Sequence, residues 1–124
     1  MKDINTQLAP KAIGPYVQAK QWGKMLFVSG QLPLDPEKGT MAEGIESQTR
    51  QSLKNLKAVL EEAGFSLDDV AKTLCFLSDM ADFNAFNEVY SEFFASNKPA
   101  RSCIAVKGIP KGALVEIEAI AVRE

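Results

Sequence analysis

Apolar residues in the first half of the chain follow two different periods. Residues 17–22 and 25–29 have the composition of strands, and Gly23-Lys24 between them suits a two-residue turn, so the segment predicts a β-hairpin. From about Ile45 to Ala63 the apolar positions recur every three or four residues, which predicts a helix, and Gly64 is the expected C-terminal stop. The stripe of this helix consists of Leu53, Leu56, Val59, Leu60 and Ala63.

The second half of the chain alternates between strand and helix. Residues 70–77 predict a strand that is apolar on both faces, and Asp82 is placed to cap a second helix. This helix is expected to end at Asn97 and Pro99, and two further strands are predicted over 99–106 and 114–122. Its aromatic stripe, predicted to be core, consists of Phe83, Phe86, Tyr90, Phe93 and Phe94.

The order of these elements is ββ-α-β-α-ββ, with a short extra strand near residues 2–4. It predicts a single domain over residues 1–124 of the α+β class, in which two helices pack on one face of a mixed sheet. Residues 70–77 show why the other face needs a cover: Leu74 and Phe76 are as apolar as Cys75 and Leu77 on the opposite face. Burial between identical subunits in a closed ring is the simplest solution.

Composition limits the classes of partner. The 124 residues are 46% hydrophobic and 24% charged, with a formal net charge of -2. This acidic balance argues against general attraction to nucleic acid or an anionic membrane, so neither is expected as a partner. No apolar run is long enough to cross a bilayer, and the cytosol is the expected compartment.

The chain contains no histidine, which limits the chemistry further. Ser-His-Asp and Cys-His nucleophile systems and histidine-ligated metals are excluded, so acid–base work must come from other side chains or water. Cys75 and Cys103 lack the close spacing of a zinc or redox motif, and no metal site is predicted. A buried, inert thiol is the preferred interpretation of Cys75.

Two charged residues interrupt the apolar closing strands. Arg101 has a planar, permanently charged guanidinium that is suited to binding a small carboxylate. Glu118 shares a strand face with apolar residues, and because burying an unpaired carboxylate is costly, its position indicates a functional site. Together they predict a pocket that holds an acid and activates a water. Alternatively, Arg101 forms a salt bridge with Glu116 or Glu118. The pattern alone does not choose between the two glutamates.

Six segments of the chain form a recognisable set, and their order and spacing extend over nearly its whole length. They are Ala12-Ile13-Gly14-Pro15-Tyr16, Val28-Ser29-Gly30-Gln31, Gln51-Ser52-Leu53-Lys54-Asn55, Phe86-Asn87 with Tyr90, Pro99-Ala100-Arg101-Ser102-Cys103, and residues 116–122. Together they resemble one known family, the reactive intermediate deaminases of the RidA/YjgF group, also called the L-PSP endoribonuclease family. The resemblance implies a two-layer, chorismate-mutase-like α+β fold and a homotrimer with a barrel core and clefts between subunits.

The resemblance also implies an activity. It is the hydrolysis of 2-imino acids or their 2-amino-enoate tautomers to 2-keto acids and ammonia, without cofactor or metal. The usual substrates are 2-aminoacrylate/2-iminopropanoate and 2-iminobutanoate, which pyridoxal-phosphate dehydratases release from serine and threonine.

Family positions carried over to this chain imply that Arg101 binds the substrate carboxylate and Glu118 activates water. One departure is Lys98, where an aromatic residue is common, and it concerns the rim of the cleft. The remaining implied substrate-binding residues are Tyr16, Ser29, Gly30 and Asn87, with Cys103 contributing through its backbone.

Two other functions compete with this one. Members of the family have also been described as endoribonucleases or translation inhibitors, against which the acidic balance and the lack of a basic-aromatic surface count. The second alternative is a sensor or chaperone-like scaffold whose trimeric cleft binds a small carboxylate without turnover. Such a cleft would show the same sequence features, because it would also bind the carboxylate through an arginine.

Overall fold

Six strands form one mixed sheet in the computed structural model, which describes residues 1–124. The sheet order is β1-β2-β3-β6-β4-β5, and β4 and β5 are its one parallel pair. The α+β class and the short N-terminal strand are thereby confirmed. The strands are β1 (Lys2–Ile4), β2 (Ala19–Trp22), β3 (Met25–Gln31), β4 (Val70–Leu77), β5 (Ala100–Ala105) and β6 (Val115–Val122).

Two helices, α1 (Ile45–Glu62) and α2 (Phe83–Phe93), pack on one face of this sheet, as predicted. α1 contacts β3, β6 and α2. Neither helix is both long enough and apolar enough to span a membrane. The core between the helices and the sheet contains the predicted stripes, with Leu53, Leu56, Val59, Leu60, Phe86 and Phe94 on the helix side and Val115, Ile117, Ala119 and Ala121 on β6.

The ends of the two helices differ from each other. Gly64 adopts a positive φ of 79°, and the Phe65 amide donates to the carbonyl of Leu60 at 2.9 Å, so α1 ends in the glycine-dependent turn that the sequence predicts. Asp82 occupies the N-cap position of α2, as predicted, but its side chain makes no capping hydrogen bond. Instead Asp79 accepts from the Ala81 amide at 2.9 Å, at the start of a 3₁₀ turn that leads into α2.

The face of the sheet opposite the helices is uncovered in the single chain, and we call it the open face. Trp22 is 65% exposed and Phe27 is 40% exposed there, so the prediction of a second apolar face is confirmed. The sequence predicts that identical subunits of a homotrimer cover this face, and that assembly stays a prediction. The open face consists of Asp3, Lys20, Trp22, Met25, Phe27, Lys72, Leu74, Phe76, Ala100, Ser102, Ile104, Glu116, Glu118, Ile120 and Val122.

A β-bulge interrupts the pairing of β3 with β6. Val28 pairs with Ala119 and Gln31 pairs with Ile117, so Ser29 and Gly30 together lie opposite one residue of β6. A bulge bends the strand and changes the direction of nearby side chains. This bulge lies where the sequence places two of the predicted substrate-binding residues.

Candidate active site

Arg101 lies on the edge strand β5, and its side chain lies on the helix face of the sheet. Its strand partner is the buried Thr73 of β4. The guanidinium carbon is 4.8 Å from the centroid of the Tyr90 ring and 5.6 and 5.8 Å from those of Phe83 and Phe86. These three rings of α2, which we call the aromatic platform, are within range for cation–π attraction.

One hydrogen bond orients this guanidinium through its Nη1 atom. Arg101 Nη1 donates to Asn87 Oδ1 at 2.7 Å, and no other side-chain nitrogen of Arg101 has a protein acceptor. No acidic oxygen lies within ion-pair distance, so the alternative of a salt bridge with Glu116 or Glu118 is wrong for the single chain. The three ion pairs are Lys20–Asp3, Arg50–Glu92 and Lys57–Glu61. Arg101 is therefore an oriented cation whose remaining N–H groups are free to bind an external anion.

Two grooves meet at Arg101. The first has a volume of about 500 Å³ and includes Cys103 and Met80. The second has a volume of about 660 Å³ and includes Lys98, so the position that departs from the family pattern lies beside the arginine. A small acid bound to the guanidinium would have space on either side.

Neither thiol is prepared to act as a nucleophile. Burial raises the pKa of the Cys75 thiol to about 12, and the prediction that this thiol is buried is confirmed. Burial also raises the pKa of Cys103, although the charge of Arg101 opposes the shift. A thiol whose pKa lies above its ordinary value is mostly protonated at neutral pH, and the thiolate is the reactive form.

Glu118 lies on the other side of the sheet from Arg101. On β4, Arg101 pairs with Thr73 and Glu118 pairs with Leu74, and successive residues of a strand point to opposite faces. The predicted pocket containing both charged groups therefore does not form within one protomer. If these groups act together, they must come from two copies of the chain.

Glu116, two residues before Glu118, also lies on the open face, where a residue of β3 restricts the position of its side chain. Its carboxyl packs against Gly30, where an added Cβ would be 2.8 Å from its Cδ and Oε2 atoms. Burial raises the pKa of Glu116, and the charge of Glu118 raises it further. A carboxyl group with a raised pKa is better suited to exchange protons near neutral pH. The structure thus favours Glu116, whereas the assignment of Glu118 stays a prediction.

The other residues predicted on this side lie around Gly30. Tyr16 and Gly30 line one small cavity of about 120 Å³. The Ser29 hydroxyl donates to the Val17 carbonyl at 2.7 Å, and the Ser29 amide donates to the Gln18 carbonyl at 2.9 Å. Ser29 therefore ties the segment after Tyr16 to β3, and its hydroxyl proton is already engaged.

The candidate residues fall into two groups that one chain keeps apart. We call them the arginine half-site, consisting of Arg101, Asn87 and Cys103, and the carboxylate half-site, consisting of Tyr16, Gly30, Glu116 and Glu118. Tyr90 and Thr73 support the arginine half-site and were missed as site residues. The signals for Tyr90 are its place in one of the six family segments and its hydroxyl among phenylalanines in the aromatic stripe. No group of three or more His, Cys, Asp or Glu side chains is arranged to hold a metal ion.

Comparison with known proteins identifies the family. The family model described as Endoribonuclease L-PSP matches residues 6–123. The 2-iminobutanoate/2-iminopropanoate deaminase of Salmonella typhimurium is 49% identical over 125 residues, which cover 98% of each chain. The chain belongs to the RidA/YjgF family.

Other members of the RidA/YjgF family show how close the match is. A RutC family protein of Pyrococcus horikoshii is 53% identical over 98% of this chain and 97% of its own. The crystal structure of the YjgF gene product from Escherichia coli superposes with a TM-score of 0.98 at 45% identity, with both chains fully covered. Escherichia coli TdcF, crystallised with bound serine, also has a TM-score of 0.98, at 46% identity and with full coverage of both chains. The relatives of this RidA/YjgF protein support an imine or enamine deaminase.

Proposed function

We propose that this protein hydrolyses 2-imino acids, or their 2-amino-enoate tautomers, to 2-keto acids and ammonia. The substrates are the small acids 2-iminopropanoate and 2-iminobutanoate, and neither cofactor nor metal takes part. The observation that carries the proposal is Arg101, a cation oriented by Asn87 and three aromatic rings but without an acidic partner. A relative at 49% identity named for this activity supports it.

The site is formed between subunits of a homotrimer. Two observations support this assembly: the two half-sites lie on opposite faces of the sheet, and the open face exposes large apolar side chains such as Trp22 and Phe27. Burying those side chains against a second copy stabilises the assembly by the hydrophobic effect. The same packing would bring the carboxylate half-site of one subunit to the arginine half-site of another.

The chemistry needs little machinery because an imine carbon is already electrophilic. Arg101 binds the substrate carboxylate through its free N–H groups, which fixes the position of the imine carbon. With the imine nitrogen protonated, Glu116 accepts a proton from water as the water oxygen bonds to that carbon and the C=N π electrons move to nitrogen, giving a neutral carbinolamine. The carboxyl then returns the proton to nitrogen, and the C–N bond breaks with its electrons on the departing ammonia. The carbinolamine hydroxyl gives its proton back to the Glu116 carboxylate as the carbonyl forms, and that proton then passes to ammonia or solvent.

The direct test generates 2-iminobutanoate in situ with a threonine dehydratase and measures the initial rate of 2-oxobutanoate formation. The protein should increase this rate well above that of the dehydratase in buffer. An equal rate with and without the protein would remove the enzyme proposal. Tight binding of 2-oxobutanoate without turnover would instead support the carboxylate-binding alternative, and cleavage of RNA would support the endoribonuclease alternative.

The two glutamates are distinguished by matched amide variants. We expect Glu116→Gln to lower kcat by about 100-fold, the usual scale of a lost general acid–base group, and Glu118→Gln to lower it much less. Because burial and the charge of Glu118 raise the pKa of Glu116, activity should fall with decreasing pH at a value above that of an ordinary glutamate. This acid limb should be absent from the residual activity of Glu116→Gln. The opposite ranking of the two variants would assign the role to Glu118.

Gly30→Ala tests the same carboxylate without altering it. The new Cβ would lie 2.8 Å from the carboxyl of Glu116, so that side chain must move, whereas no atom of Glu118 is among the nearest neighbours of the new Cβ. We expect kcat to fall at least about tenfold while the folded structure persists, because misplacing a catalytic group by about 1 Å is costly. Circular dichroism checks the fold. Unchanged kcat would show that the position of Glu116 is unimportant.

A further inference from the structure

The hydroxyl of Tyr90 connects the arginine half-site to the interior of the sheet. Its ring, at 4.8 Å from the Arg101 guanidinium carbon, is the nearest of the aromatic platform. Its hydroxyl lies 2.8 Å from Oγ1 of Thr73, in a bond with both residues buried. Thr73 is also the strand partner of Arg101. Thr73 therefore contacts the arginine in two ways, through the backbone pairing of β4 with β5 and, by way of Tyr90, through the side chain.

Core packing alone does not account for this pair. A buried hydroxyl must be hydrogen-bonded to be tolerated, and a phenylalanine with a valine partner would fill similar space without that demand. Burial also raises the pKa of Tyr90, which keeps its hydroxyl protonated. The bond prevents the ring from turning or sliding away from the guanidinium. Together with the Asn87 contact at one Arg101 nitrogen, it leaves the remaining N–H groups in a defined direction.

We propose that Tyr90 and Thr73 are positioning residues that hold the Arg101 guanidinium in the orientation for two-point binding of a carboxylate. They act through Arg101 and do not touch the reacting atoms. The inference rests on the proposed function only in taking that carboxylate to be the substrate's. Because the same carboxylate persists in the keto acid product, the pair should affect binding of both, and therefore KM far more than kcat.

The matched variants are Tyr90→Leu and Phe65→Leu. The Phe65 ring is also buried, and its centroid lies 4.1 Å from the guanidinium carbon of another arginine, Arg123. It lines neither groove at Arg101 and is not in the aromatic platform. Both variants should lower thermal stability. Only Tyr90→Leu should raise KM and weaken 2-oxobutanoate binding by calorimetry, each by about tenfold, the loss expected for a partly desolvated cation–π contact and its orienting effect.

Rescue distinguishes the hydroxyl pair from the ring. Thr73→Val leaves the Tyr90 hydroxyl without a partner and should raise KM several-fold, whereas the double variant Tyr90→Phe with Thr73→Val should return KM toward that of the wild type. These variants keep the volume of the core and serve if Tyr90→Leu fails to fold. Equal KM for the Tyr90 and Phe65 variants, or no KM change in Thr73→Val, would overturn the proposal. Binding of the keto acid requires no turnover. Calorimetry therefore tests the positioning role of Tyr90 and Thr73 even if the deaminase assay shows no activity.

Discussion

Arg101→Ala should remove nearly all deaminase activity and leave the fold and assembly intact. The loss of a charge-assisted, two-point contact with the substrate should lower kcat/KM by about 100- to 1,000-fold. Arg101 has one side-chain hydrogen bond, to Asn87, and no ion pair in the chain, so its removal costs the fold little. Initial rates with 2-iminobutanoate, beside light scattering for the assembly, measure both expectations.

Two controls make this result specific. Arg101→Lys retains the positive charge but not the planar fork, and it should recover only part of the lost kcat/KM. Arg50→Ala removes another arginine that pairs with a side chain of α2, here Glu92, but at an exposed position between the helices. It should leave both activity and assembly unchanged. Full activity in Arg101→Ala would contradict the proposed site.

Mixing two inactive variants should restore activity. If each site takes Arg101 from one subunit and Glu116 from its neighbour, an equal mixture of Arg101→Ala and Glu116→Gln chains forms some intact pairs. For random assembly in a closed ring, about one quarter of the sites contain both native residues, so about a quarter of the wild-type rate should return. Each variant alone should stay near its own low rate.

The mixture also reports on which groups belong together. Co-expression or joint refolding allows the chains to exchange, and a tag on one variant verifies that mixed assemblies form. A site built within one chain would give no recovery in verified mixed assemblies, because no chain contains both native residues. Replacing Glu116→Gln by Glu118→Gln in the mixture repeats the test for the carboxylate that the family resemblance implies.

Local patterns in the sequence predicted the elements well but not their pairing. Helix α1 was predicted from its stripe and from Gly64, because the positive φ at that position is available to glycine at little cost. The placement of β6 between β3 and β4 has no local signature, since it depends on contacts between residues far apart in the chain. The bulge at Ser29 and Gly30 was missed for the same reason. Asp82 was correctly placed at the start of α2, but the capping hydrogen bond comes from Asp79, because a 3₁₀ turn precedes the helix.

The candidate site divides in the same way. Arg101 and the two glutamates of β6 were recognisable as charges in apolar strands, and Asn87 came from the family resemblance. The contact of Asn87 with Arg101, 14 residues away in sequence, required the packing of α2 against β5. The preference for Glu116 came from the close approach of Gly30, which lies in the bulge of β3.

The sequence by itself determined the class of fold, the supply of chemical groups and the exclusion of histidine chemistry, because periodicity and residue identity act over a few neighbouring positions. The tertiary structure decided which groups meet. Arg101 and Glu118 pair with adjacent residues of β4, and a strand turns adjacent side chains to opposite faces. A single chain therefore separates the cation from the carboxylates by the thickness of its sheet, and only the register of distant strands could reveal it.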